Sequence, residues 1–387
     1  MVEIAYDWTE GVDWGNIDQL TTDFHIHPWY FDDGAAHDAI DHVCTEFAPT
    51  PHDADERTGY DTFGLSSIGT AERTSDLTNE EYQGKVYWPW TDPDWRMVRE
   101  DAEEHPESRD PESLDVVAFP CREIVGGSVN HFNQLFGQTG DGSAIPADGW
   151  GVENEERLKA VDWVIDDQNG RVIHAHPHTW WDNASLTRLT EFVDQDPEYA
   201  LGMEIVNFTG ESLDLWDQVN TIFARKRGRP VWGYGASDLK SNLDPGDEGM
   251  RWETVLLVPE GSVSPTAQSA SRDVIENAFV EAHALTIRRD AWNDDTESAP
   301  QVPSITNITG TDTTINIDAD NWTEIDWISS GEVVETGDTI EVTGDHSPTV
   351  RAHLKNGNDP EGETFTQPWL LSNPNTLGRA TVGDAQL

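Results

Sequence analysis

"TTDFHIHPWYFDDG", Thr21–Gly34, places two histidines two positions apart at the end of a run that alternates polar and apolar residues. In a β-strand residues i and i+2 share a face, so His25 and His27 stand side by side. Two imidazoles so placed are either a metal clamp or a pair of surface histidines. Asp23, one pleat earlier, is where a partner fixing an imidazole tautomer would sit. Asp32 and Asp33 follow in an Asp-Asp-Gly turn.

Further apolar runs follow along the chain: "FGLSSIG", "LDVVAFPCREIV", "GRVIHAHP", "ALGMEIVNF", "PVWGYGAS" and "ETVLLVP". Between them lie segments with helical periodicity: "VENEERLKAVDWVIDDQ", "NASLTRLTEFVDQ", "SLDLWDQVNTIFARKRG" and, later, "SRDVIENAFVEAHALTIRR". Strand–helix alternation predicts a parallel α/β sheet or barrel. The texture changes at "NDDTESAPQVPS", residues 293–304, beyond which short β-branched runs recur between turn residues every eight to twelve positions. That spacing predicts a small all-β, Ig-like sandwich. Two domains result, 1–298 and 299–387, consistent with a chain of 387 residues.

Charge narrows the setting. There are 74 Asp and Glu against 23 Lys and Arg, a net charge of −51, and the carboxylates are spread along the whole length. Seventeen tryptophans argue for a packed protein and against a disordered one. Self-repulsion of this size destabilises a compact state at ordinary salt, whereas at molar salt the screening length falls to about 3 Å. The chain reads as built for a hypersaline medium, either the cytoplasm of a salt-adapted organism or the surface or tail of a virus that infects one. Nucleic acid is disfavoured as a partner, since no basic patch neutralises phosphates. Two cysteines, Cys44 and Cys121, make no disulfide framework. The opening "MVEIAYDWTEGVDWG" has neither the basic nor the apolar region of a secretory signal, and no stretch is apolar for long enough to span a membrane.

The residues able to carry chemistry fall at the ends of the expected strands. After His25 and His27 come Glu123, His131, the cluster His174, His176 and His178, then Glu204 and Asp238. Imidazole and carboxylate together suit divalent Zn, Mn or Fe, and a carboxylate can bridge two ions. His174 alternates with His176 and is expected on the opposite face, in a structural role.

In order and local context these motifs resemble the PHP (polymerase and histidinol phosphatase) superfamily of metal-dependent phosphoesterases. The resemblance rests on "DFHIH", "CREI", "NHFN", "IHAHP" and "ASDLK", and spans roughly residues 20–290. It implies a distorted (β/α)7 barrel with two divalent metal ions and a hydroxide between them. One ion would be held by His25, His27, Glu123 and Asp238, the other by Glu123, His131 and His176. "VRAHLKNG" and "QPWLLSNPN" look like the closing β-domain of the branch that contains carbaryl hydrolase.

The sequence departs from that pattern where many relatives hold a third metal. "GLSSIGTAERTS" reads Glu72 where a histidine is expected, and Lys240 replaces the final histidine after Asp238. A Glu72–Lys240 ion pair could stand in the third-metal position, or Asp32 or Asp33 could pair with Lys240. The implied activity is a metal-dependent hydrolase of a phosphoester, carbamate, ester or amide acting on a small or polymeric substrate. Lys240 and Arg122 would help meet developing negative charge, and His178 would either protonate the leaving group or face solvent. A second reading makes the chain a structural component of a larger assembly, or a homo-oligomer, with the β-domain as its docking or glycan-binding part.

Overall fold

The computed structural model describes residues 2–27, 61–69, 117–126, 130–137, 161–180, 192–207, 210–240, 251–289, 301–343, 346, 348–357 and 362–372. Twelve strands precede residue 300. They are β1 (Ile4–Tyr6), β2 (Ile17–His27), β3 (Thr62–Gly69), β4 (Val117–Gly126), β5 (Asn130–Leu135), β6 (Arg171–Ala175), β7 (Ala200–Asn207), β8 (Gly210–Glu211), β9 (Trp232–Gly235), β10 (Leu239–Lys240), β11 (Arg251–Pro259) and β12 (Ala284–Arg289). Eight follow it: β13 (Ser304–Thr311), β14 (Thr314–Asp320), β15 (Glu324–Ser329), β16 (Glu332–Thr336), β17 (Thr339–Glu341), β18 (Thr349–Asn356), β19 (Gly362–Thr366) and β20 (Trp369–Leu371). Two longer helices are described, α1 (Leu213–Arg227) and α2 (Gln268–Glu281), with a short helical stretch at 161–166.

The expected distorted (β/α)7 barrel is not formed. Among the described residues the protein is mostly β, and its main sheet is a curled half-barrel in which antiparallel pairs predominate. Parallel pairing holds for β2–β3, β3–β4, β6–β7, β7–β9 and the short β10–β2. Between those groups β4, β5 and β6 run antiparallel, as do β2, β11 and β12. The physical reason is local. Only residues 127–129 separate β4 from β5, too few for a crossover helix, so the chain must double back. The segment "NHFNQL", which is not among the expected strands, forms one, β5. The run "SRDVIENAFVEAHALTIRR" likewise divides. Helix α2 stops where Ala282 adopts φ 57°, and the backbone N–H of Ala282 donates to Phe279 O at 3.2 Å. Ala284–Arg289 then enters the sheet as β12, with Ala284, Leu285, Thr286 and Ile287 buried.

The strands after residue 300 do not form a free-standing sandwich. Strand β19 pairs antiparallel with β12 on one side and β18 on the other, so the N-terminal sheet runs on into β15, β16 and β18. Only β13, β14 and β17 make a separate three-stranded sheet. Its buried Ile305, Ile315, Ile317 and Ile340 share one core with Trp327 and Leu354 of the main sheet and with Leu257 and Phe279.

Two devices bind the curl together. The side-chain amide of Gln367 meets β9 as a strand would. Gly233 N donates to its Oε1 at 2.8 Å, and its Nε2 donates to Gly233 O at 2.6 Å. Arg351 of β18 makes a two-pronged ion pair with Asp217 of α1, both contacts at 2.8 Å, with its guanidinium over the Trp216 ring. Gly233 must be glycine, since a Cβ there would lie 2.6 Å from the Trp216 ring that packs on it.

Candidate metal centre

Five strands deliver the polar side chains of the site: β2 (His25), β4 (Glu123), β5 (His131), the end of β6 (His176) and β7 (Glu204). Asp238 lies between β9 and β10, immediately before β10. Two of these positions coincide with breaks in strand register, between Asp23 and Ile26 where β2 meets β3 and between Glu204 and Val206 where β7 meets β9. Such irregularities re-aim a side chain that regular pleating would place elsewhere. His176 at φ 23° and Asp238 at φ 49° hold left-handed backbone conformations. Strain of this kind persists only where surrounding structure enforces it.

The donors converge in two triads that share His176. In His25, His176 and Asp238, and again in Glu123, His131 and His176, the potential ligand atoms all lie within 4.8 Å of one another. Glu123 stands between the groups. Its Oε1 is 2.5 Å from His131 Nδ1, 3.3 Å from His176 Nε2 and 3.5 Å from His25 Nε2. Asp238 reaches His25 Nε2 at 3.4 Å and His176 Nε2 at 4.0 Å. All but His131 are buried. Two imidazoles with one carboxylate in each triad is a donor set that fits Zn, Mn or Fe.

Glu204 organises this arrangement without belonging to either triad. Its Oε1 is 2.6 Å from His25 Nδ1 and accepts from Asn133 Nδ2 at 2.7 Å. Its Oε2 accepts from the backbone N–H of His176 at 2.7 Å and from Asn207 Nδ2 at 3.0 Å. Burial opposes its ionisation, but the facing His25 outweighs burial and holds the Glu204 carboxyl below its usual range. Burial likewise opposes charge on His25, yet Glu204, Asp238 and Glu123 together raise its pKa well above the ordinary value. Asp23 takes a different part from the tautomer-fixing one expected of it. It accepts from the backbone N–H of His25 at 2.8 Å and from that of Ser237 at 3.1 Å, which ties β2 to the turn carrying Asp238. Burial raises its carboxyl to about 6, against those hydrogen bonds.

The remaining sequence candidates are placed as follows. His174 points away from the triads, between the rings of Phe132 and Phe192, with Nδ1 against Ala175 O at 3.1 Å. His178 lies in the turn Pro177–Trp180 with Nδ1 3.0 Å from Ser212 Oγ. Lys240 pairs with His27 between β10 and β2, and Arg122 precedes Glu123 in β4. The side chains of His27, Arg122 and Lys240 lie outside the described residues, as do Glu72, Asp32 and Asp33 entirely. Sequence reasoning missed Asn133 and Asn207 as partners of Glu204; amides at strand positions carry no distinguishing pattern. No helix among the described residues is long and apolar enough to cross a membrane. No family model matches the chain, and no curated protein matches it either.

Proposed function

We propose that the chain is a divalent-metal-dependent hydrolase acting on a phosphoester or on a carbamate, ester or amide. The observation that carries this reading is the pair of triads sharing His176. His25 and Asp238 would hold one ion and His131 and His176 the other, with the Glu123 carboxylate within reach of both groups. Bound there, divalent ions supply Lewis acidity and bring a water's pKa down toward neutrality.

The chain's own residues prepare that chemistry. Glu204 sits at Nδ1 of His25 and keeps a proton on that nitrogen, so an ion bound between Glu123 and Asp238 would take the place of the Nε2 proton and meet that nitrogen's lone pair. Asp23 fixes the Ser237–Asp238 backbone relative to β2. Burial of His25, Glu123, His176 and Asp238 keeps competing water away from the donors.

The test is elemental analysis of protein kept in molar salt, for wild type and His176→Ala, beside turnover of a generic phosphodiester and an aryl ester. About two ions per chain with turnover is the expected result for wild type, with turnover and at least the ion held by His176 lost in the variant. Wild-type protein holding no transition metal and turning over neither substrate would overturn the reading.

A further inference from the structure

A concavity opens at His178, two residues past His176, and the proposed hydrolase reaction does not account for it. It measures about 270 Å³ and is lined by His178, Glu211, Ser212, Leu213, Asp214, Leu215 and Gln218. That is close to the lower end of small-molecule pockets, ~300 Å³. His178 is two residues past His176, so their Cα atoms are at most about 7 Å apart. One wall of the pocket therefore lies close along the chain to a proposed ligand of the metal centre.

Its walls are built. The His178 ring is held at Nδ1 by Ser212 Oγ, 3.0 Å away, and Ser212 is buried. Gly210 passes over the same ring at φ 145°, and a Cβ there would lie 3.2 Å from it. Glu211 is exposed but anchored. Arg288 donates to it at 2.7 Å, and Arg288 also contacts Glu363, which faces His353 at 3.1 Å. The opposite wall is the first turn of α1.

The chemistry of the lining selects its occupant. Glu211 shares the guanidinium of Arg288 with Glu363, and the charge of Asp214, in the first turn of α1, is partly offset by the helix dipole. The lining thus offers hydrogen-bonding groups, two partly offset carboxylates, an amide, a hydroxyl and an imidazole, to a ligand without charge of its own. Leu215 and Leu213 add an apolar strip. A phosphate or carboxylate would meet two acidic side chains. A ring that presents hydroxyls at its edge and C–H groups on its face matches both parts.

We infer that this pocket is the subsite for a neutral, hydroxyl-rich ring, a sugar or cyclitol, forming the non-reacting part of the substrate. The inference rests on the hydrolase reading for its place in a reaction, but its binding claim can be tested apart from it. The variant is Asp214→Ala with Gln218→Ala, both exposed and outside the metal triads. Saturation-transfer NMR and titration calorimetry in molar salt would use methyl glycosides and inositol as probes, with choline as the cationic comparison. Turnover would compare a sugar phosphate with an aryl phosphate.

Binding of a glycoside or inositol to wild type, weakened at least tenfold in the variant, is expected. The variant should also show a raised KM for the sugar phosphate, an unchanged KM for the aryl phosphate and unchanged metal content. Absence of glycoside and inositol binding, equal binding by wild type and variant, or preference for choline would overturn the inference. Protein that binds the ring but holds no metal would sink the hydrolase reading and leave the subsite standing.

Discussion

At the residue scale, Glu204 is the position on which the site's geometry turns. It fixes the His25 ring, the His176 backbone and two amides at once. Partners of this kind typically cost ~10–100-fold in metal affinity when altered. Glu204→Gln is therefore expected to weaken metal binding by that order while keeping the fold, measured by competition with a chelator. A variant with wild-type affinity would show that the imidazole is oriented by other means. His174 gives a prediction about acid. Burial lowers its pKa from 6.5 to about 4, so below pH 6.5 the unfolded chain takes up a proton that the folded one resists. Stability is then lost as pH falls from 6.5 towards 4, by roughly 3 kcal/mol for this group. His174→Phe, between Phe132 and Phe192, should flatten that part of the pH–stability curve; an unchanged slope would refute the assignment. Histidines and carboxylates at strand ends were legible in the sequence as a candidate set. Glu204's organising part was not, because it depends on which ring faces it across β2 and β7.

At the scale of elements, period identifies a strand but not its partner. Runs such as "ALGMEIVN", buried along its whole length, look alike in parallel and antiparallel sheets, so the barrel expectation had no information about direction at β4, β5 and β6. The division of residues 268–289 into α2 and β12 was hidden for a similar reason. "EAHALTIRR" continues a helical pattern, and the stop comes from Ala282 entering the left-handed region, a conformation the sequence signals only when glycine or asparagine occupies it. The contact of α1 with β18 is testable here. Arg351 and Asp217 are both buried, at 3% and 7% exposure, and removing one partner of such a pair strands a charge at a cost of about 3–5 kcal/mol. Arg351→Met should lose about that much in urea unfolding. Arg351→Met with Asp217→Leu should recover most of it, and no recovery would mean the loss lies in packing on Trp216.

For the whole molecule, a net charge of −51 sets the conditions under which any of this can be observed. Screening length rises from about 3 Å at 1 M to about 10 Å at 0.1 M, which restores repulsion between carboxylates over many neighbours at once. The unfolding midpoint is expected to fall steadily as NaCl is lowered across that range. A midpoint independent of salt would show that the acidic surface is not under mutual repulsion. The acidity was the plainest message of the sequence. The sheet's continuity from β12 through β19 was beyond it, since that pairing joins residues about eighty positions apart with no local signature.

The Gln367 amide on Gly233 has a bearing on solubility. Conditions that quiet charge repulsion also strengthen apolar association, and a bare strand edge is then an invitation to pair with another molecule. At β9 the backbone donor and acceptor of Gly233 are already taken by a side chain that has no further strand to offer. Gln367 and Thr286 at Gly233, with Thr254 at Gly235, fill that side of a strand buried along its whole length, so the ladder stops at side chains and leaves no bare edge there.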